Sequence, residues 1–164
     1  MPGRLTKQSK QNLQRDWRVL GKNWGTTYKG YFSRSGPMKR FSKLVIPLLL
    51  NEKRVRILYV CSGPGALGEQ LCKELKKEGK TVTLTLHDMS AQHLKQNKNS
   101  KTRKIVGDLL TEHVQQKFDV VIMRSSLDYF SKESLQVNAS KRIYSWLPAD
   151  GLFANQTASL GSLL

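Results

Sequence analysis

A chain of 164 residues with a formal charge of +16 and 38% hydrophobic residues can build one domain with a real core, but not comfortably two. Its only cysteines, Cys61 and Cys72, argue against a disulfide-stapled secreted scaffold and for a reduced, cytoplasmic protein. No secretion signal is visible, and the longest apolar run, 44–50, has seven residues broken by Pro47. Crossing a bilayer takes roughly 20 apolar residues, so no membrane partner is expected.

The charge is unevenly placed. Residues 1–56 hold 14 Lys/Arg against Asp16 and Glu52, while the remainder holds 14 against 10 acids. The first 15 residues are polar and aperiodic, and 17–36 mix Trp17, Trp24, Tyr28, Tyr31 and Phe32 with four glycines. Residues 1–36 therefore read as a basic, partly disordered arm preceding a domain over 37–164. Cations interleaved with rings suit RNA or another polyanion, the cations meeting phosphates and the rings stacking on bases. A solvated tail with a few docking aromatics explains the same composition. A mitochondrial targeting segment fits less well, because the run shows little apolar face.

Over 38–51, Phe41, Leu44, Val45, Leu48 and Leu49 recur at helical spacing, so a helix kinked or broken at Pro47 should pack beside the rest. β-type apolar runs then alternate with helical patterns. Strands are expected at 55–60, 81–86, 104–106, 118–123 and 152–156, and helices at 66–78, 90–98, 111–116 and 132–146. Such alternation predicts an α/β domain with a mostly parallel sheet flanked by helices.

The first strand feeds Gly63, Gly65 and Gly68, a G-x-G-x-x-G turn opening a helix. Missing side chains there let the backbone turn sharply and approach a ligand, and the helix N-terminus favours an anionic group. Asp88 follows 20 residues beyond Gly68, at the end of the next apolar run, where an acid can accept hydrogen bonds from both hydroxyls of a ribose. Met89 next to it could cover one face of an adenine. Asp88 could instead serve only as a cap for the helix beginning near Ser90.

Four segments together resemble the class I S-adenosylmethionine-dependent methyltransferases, whose fold is Rossmann-like. Residues 58–65 (LYVCSGPG) look like the family's first motif, and 87–90 with Leu94 like its ribose-binding D-x-S-x-x-x-L. Gly107-Asp108-Leu109 looks like its adenine-side G-D, and 147–153 (LPADGLF) like its L-x-P-G-G strand entry. The likeness covers nearly everything after the basic arm. It implies S-adenosylmethionine as cofactor, with Gly63, Pro64 and Gly65 against the methionine portion, Asp88 and Met89 at the ribose and adenine, and Asp108 and Leu109 reading the adenine. The segment 123–130 would border the transferable methyl. Arg124 there is a further cofactor contact, and Asp128 and Tyr129 are candidates for touching the acceptor. A helix-start acid and a packed ring explain the last two equally well.

Departures from the family pattern matter as much. Tyr59 stands where the first motif usually has an acid, and Cys61 where its first glycine is expected; both border the cofactor and could reshape its pocket. There is no Asn-Pro-Pro-aromatic segment and no Pro-Cys after the fourth strand, which argues against the usual adenine-amine and cytosine-C5 chemistries. His87, His93 and His113 lack metal-ligand spacing, so no metal is expected. With the sequence ending soon after the fifth strand, an open sheet edge is expected to attract a second copy or a partner chain. The leading expectation is a methyltransferase acting on RNA. The alternative is a catalytically inactive, methyltransferase-like subunit that binds RNA or a partner. A nicotinamide-dependent oxidoreductase matches the glycine pattern, but not Gly107-Asp108 or the 147–153 turn.

Overall fold

The computed structural model describes residues 34–127, 130 and 132–156. Helix α1 (Ser35–Val45) passes into a 3-10 turn (Ile46–Leu49), and Pro47 sits in the first positions of that turn, where a missing N–H costs least. The expected break is thus a change of helix type. Met38, Phe41, Val45 and Leu49 are buried in one stripe, whereas Leu44 and Leu48, expected to pack with them, are 74% and 67% exposed. Among the described residues the helix packs one stripe against α2 and the sheet-face cluster, and Leu44 and Leu48 lie off that stripe.

Strand β1 (Arg54–Val60) is followed by α2 (Ala66–Lys77), β2 (Thr81–Asp88), α3 (Ala91–Gln96), β3 (Arg103–Val106), β4 (Val120–Arg124), α4 (Glu133–Ser145) and β5 (Leu152–Gln156). They form a single five-stranded sheet in the order β3-β2-β1-β4-β5, and every neighbouring pair is parallel. Both faces are covered, which is why β1 and β4 read as nearly unbroken apolar runs rather than alternating ones. On one face Val55, Ile57, Tyr59, Leu84, Leu86, Val120 and Ile122 pack with Leu67, Leu71 and Leu75 of α2 and with α1. On the other, Leu58, Val60, Val121 and Met123 pack with Ala139 and Ile143 of α4 and with Trp146 and Leu147. Full burial of a Leu or Ile contributes about 1.5–3 kcal/mol, and Ile57, Leu58, Leu71, Leu75 and Ile122 are all 0% exposed.

The element borders differ from expectation in three informative places. β2 runs on to Asp88, so the acid is held by the sheet rather than hanging from a loop. The helix expected over 111–116 does not form; Asp108 instead builds a local turn, its Oδ1 accepting from the Leu110 amide at 3.0 Å and its carbonyl from Thr111 and Glu112 at 2.9 and 2.8 Å. β4 starts at Val120 because the Phe118 amide is engaged by the Trp146 carbonyl at 2.9 Å. At the opposite end of the strands, Arg56 and Asp119 tie β1 to the start of β4, with amide and guanidinium donors 2.6–3.1 Å from the carboxylate. No helix among the described residues is long and apolar enough to cross a membrane.

Candidate functional site

The C-terminal ends of β1, β2, β3 and β4 lie side by side, because register pairs Val60 with both His87 and Met123, and Asp88 with Val106. In a parallel sheet the loops leaving these ends create the crevice where ligands are held. The glycine turn leaves β1 there. Gly63 and Gly65 take φ of +54° and +85°, and the Ser62 carbonyl accepts from the Gly65 amide at 3.0 Å, closing the turn before α2 begins at Ala66. A Cβ on Gly65 would collide with the Leu86 side chain, and one on Gly68 would lie 3.0 Å from Leu84 and 3.2 Å from the Tyr59 ring. These two glycines therefore let α2 sit close on the sheet, while Gly63 presents the backbone.

Asp88 is 8% exposed and its two carboxylate oxygens have separate duties. Oδ2 accepts from the Gly63 amide at 2.8 Å, and Oδ1 from the Ser90 amide at 2.8 Å. A carboxylate offers roughly four acceptor positions, so each oxygen keeps capacity for a hydroxyl. The N-cap of α3 is Ser90, whose hydroxyl accepts from the His93 amide at 3.2 Å. Asp88 thus supports that cap without being it. His93, 1% exposed, places Nδ1 3.5 Å from Asp88 Oδ1. The carbonyl of Asp88 accepts from Gly107 at 3.1 Å, which joins the Gly107-Asp108 turn to the same acid.

A second clamp comes from the polar loop after α3. Asn97 donates to the Pro64 carbonyl at 3.1 Å and to Glu69 at 3.0 Å, and Glu69 also accepts from Asn99 and Thr102. Burial alone would raise the Glu69 carboxyl, but these donors outweigh it and hold it below its ordinary range. Neither Asn97 nor His93 stood out in the sequence. Asn97 falls at the end of the helix expected over 90–98 and instead follows its last residue, Gln96, and His93 lacks any metal-ligand spacing that would mark it.

At the floor of the crevice Cys61 has φ +50°, and Ser125, leaving β4, has φ +49°. Both are non-glycine residues in the left-handed region, at the exits of adjacent strands, and such conformations cost about 1–2 kcal/mol each. Cys61 therefore adopts a backbone that glycine would take freely, and carries a thiol at the floor of the crevice. Burial raises its pKa, Asp88 and Asp108 add to the rise, and a hydrogen bond with Ser126 opposes it. Tyr59 is 6% exposed and belongs to the core beneath α2. Burial raises its hydroxyl well above the usual range, against the pull of the Arg124 charge. Arg124 is 4% exposed at the end of β4, and Ser126 Oγ donates to its carbonyl at 2.8 Å.

Asp88, Asp108 and Glu112 give the rim over β2 and β3 a negative field. His87 records it: burial lowers this imidazole's pKa, while those acids push the other way. The Glu112 carboxylate lies against Gly107, where any side chain would collide with it. Leu109 is buried, and Met89 is half-buried at the end of β2. The structure thus brings together Cys61, Gly63, Pro64, Gly65, Asp88, Met89, Asp108, Leu109 and Arg124 at one sheet edge, with Tyr59 one layer below. Asp128 and Tyr129 lie outside the described residues. Among those described, no group of three His, Cys, Asp or Glu could hold a metal ion.

No protein-family model matches the chain, and no curated protein sequence matches it. Solved structures do. An S-adenosylmethionine-dependent methyltransferase from Clostridium acetobutylicum ATCC 824 superposes with a TM-score of 0.65 at 19% identity, over 80% of this chain and 55% of that one. An N-methyltransferase from Bradyrhizobium japonicum WM9, in complex with S-adenosyl-L-homocysteine, gives 0.65 at 16% identity over 85% and 71%. A sugar N-methyltransferase from Streptoalloteichus sp ATCC 53650 gives 0.67 at 16% over 86% and 56%. The fold is that of the class I S-adenosylmethionine-dependent methyltransferases. The chain spans between 55% and 71% of the length of these solved chains.

Proposed function

We propose that this chain is the cofactor-binding domain of an S-adenosylmethionine-dependent methyltransferase, and that its acceptor is RNA. The observation that carries the cofactor assignment is the bond from the Gly63 amide to Asp88 Oδ2, at 2.8 Å. It fixes a turn open to a ligand beside an acid with free acceptor capacity, as an adenosine-bearing cofactor needs. The acid-rich rim also suits a cofactor with sulfonium and ammonium groups against one carboxylate, and disfavours a dinucleotide pyrophosphate, so the oxidoreductase reading is the poorer one.

The residues present fit that group. Asp88 would accept from the ribose hydroxyls, the 62–67 turn would receive the methionine portion, and Asp108 with the Leu109 backbone would meet the adenine edge. When bound, S-adenosylmethionine supplies an electrophilic methyl on a sulfonium. The chain's own task is then alignment and exclusion of water, since in-line displacement gains most from orientation. Asp128 and Tyr129 are our candidates for contacting the acceptor.

RNA as acceptor rests on the arm, whose cations and rings suit a single-stranded polyanion. We place the protein in the cytoplasm. A second copy or partner chain is our expectation for the outer edge of β5, which pairs only with β4 among the described residues. A second reading, a non-catalytic subunit, draws its support from Cys61 in the left-handed conformation at the site floor.

Calorimetry with S-adenosylmethionine, S-adenosylhomocysteine and NAD tests the cofactor class, and heat with the first two alone is expected. No heat with any of them removes the proposal. Labelled-methyl transfer to cellular RNA, protein and small-molecule fractions tests the acceptor, and cofactor binding without transfer favours the subunit reading. Deleting residues 1–33 should weaken RNA binding and flatten its salt dependence; an unchanged salt slope would reduce the arm to a solubilising tail.

A further inference from the structure

We infer that His93 is a positioning residue for ribose recognition, acting through Asp88; this rests on the proposed cofactor reading. The argument starts from the acid. The Gly63 and Ser90 amides each take one acceptor position, one on each oxygen, and leave one position per oxygen for a vicinal diol. Two amides, one on each oxygen, set the plane of the carboxylate, and a group packed on its Oδ1 side stiffens that setting further when a ligand pulls on it. His93 stands on the Oδ1 side, with Nδ1 3.5 Å away. That is too far to use up an acceptor position, and near enough to act on the carboxylate electrostatically and sterically in a dry setting.

His93 is held in place by its surroundings. It is 1% exposed on α3, and its own amide is tied to the Ser90 hydroxyl that caps the helix. The amide of Ser90 is in turn the donor to Oδ1. Asp88, Ser90 and His93 therefore close a ring in which the cap holds the backbone at His93, the imidazole stands behind the acid, and the acid accepts from the amide of the cap residue. The spacing of these three residues along 88–93 builds the ring within one strand end and one helical turn.

The test compares adenosine with 2′,3′-dideoxyadenosine, which differ only in the diol, on the full chain carrying His93→Leu or His93→Asn. Leucine keeps the volume and removes the ring nitrogen; asparagine keeps an N–H near the Nδ1 position. In the wild type adenosine should bind more tightly. His93→Leu should lower adenosine affinity about fivefold and leave dideoxyadenosine affinity unchanged, and His93→Asn should restore most of the difference. An unaltered preference in His93→Leu overturns the inference, as does equal loss of both ligands, which would mark His93 as structural only. Should the leucine variant not fold, the wild type decides: the His93 ring nitrogen shifts should move on adding adenosine and not on adding dideoxyadenosine. Equal movement with both, or none with either, overturns the inference. If the wild type binds neither adenosine nor S-adenosylhomocysteine, the cofactor reading fails as well, whereas binding with an indifferent His93 sinks this inference alone.

Discussion

The amide of Gly63 donates to Oδ2 of Asp88 at 2.8 Å across 25 residues of sequence, so the turn after β1 and the acid ending β2 form one unit. Asp88→Ala removes the acceptor of two amides, one of them buried. Stability should fall by about 2 kcal/mol, and the heat of S-adenosylhomocysteine binding should vanish. Urea unfolding and calorimetry on the same preparation check this. A variant that keeps full stability would show that the amide finds water instead.

Gly65 and Gly79 make a matched pair, both in the left-handed region at φ +85° and +74°. A side chain at Gly79 would meet nothing within 4 Å, whereas one at Gly65 would strike Leu86. Gly79→Ala should therefore cost only the backbone term of about 1 kcal/mol. Gly65→Ala should cost at least about twice as much, and the double variant with Leu86→Ala should show less than additive loss. Equal melting temperatures for the two single variants would contradict the packing argument.

Cys61 holds a conformation suited to glycine, so Cys61→Gly should raise stability by about 1 kcal/mol, while Cys61→Val should lower it. Both thiols should also be slow to react. Burial pushes Cys72 up to about 12 and raises Cys61 as well, so little thiolate exists at pH 8. Cys72 is buried and Cys61 half-buried, so native alkylation should be slowest at Cys72, slow at Cys61 because its thiol is held protonated, and fast at both in denaturant; rapid native labelling at Cys61 would count against its raised pKa.

Burial would raise the Asp119 carboxyl, but hydrogen bonds from the Arg56 guanidinium and amide, with the Arg56 charge, bring its pKa below the ordinary value. A carboxyl depressed in the folded state contributes stability above its unfolded pKa, near 4, and loses that contribution as pH falls through the folded value. Wild-type stability should accordingly decline below about pH 4, and Asp119→Asn should start lower and decline less steeply. Parallel slopes for the two proteins between pH 2 and pH 5 would assign the acid sensitivity elsewhere.

Much of the fold was legible because the deciding forces are local. The apolar runs of β1 and β4, the glycine turn and the 147–153 turn each carry their own chemistry, and β5 appears at the expected bounds. Legibility failed where a distant partner competes with local pattern. The 111–116 segment has helical composition, yet Asp108 captures the nearby amides and Gly107 brings Glu112 back upon itself. Leu44 and Leu48 fit the apolar period of α1, but among the described residues the helix is packed along a single stripe to which they do not belong.

The sequence by itself determined the alternation of strand and helix, the turn at Gly63 and Gly65, and the presence of an acid after the second strand, since periodicity and missing side chains act over a few residues. Only the tertiary structure decided what that acid does. Parallel pairing sets Val60 against His87, which brings Asp88 to the Gly63 amide, and the end of β2 sets it before His93. Register between strands is a long-range property fixed by burial on both faces of the sheet. No stretch of chain encodes it alone.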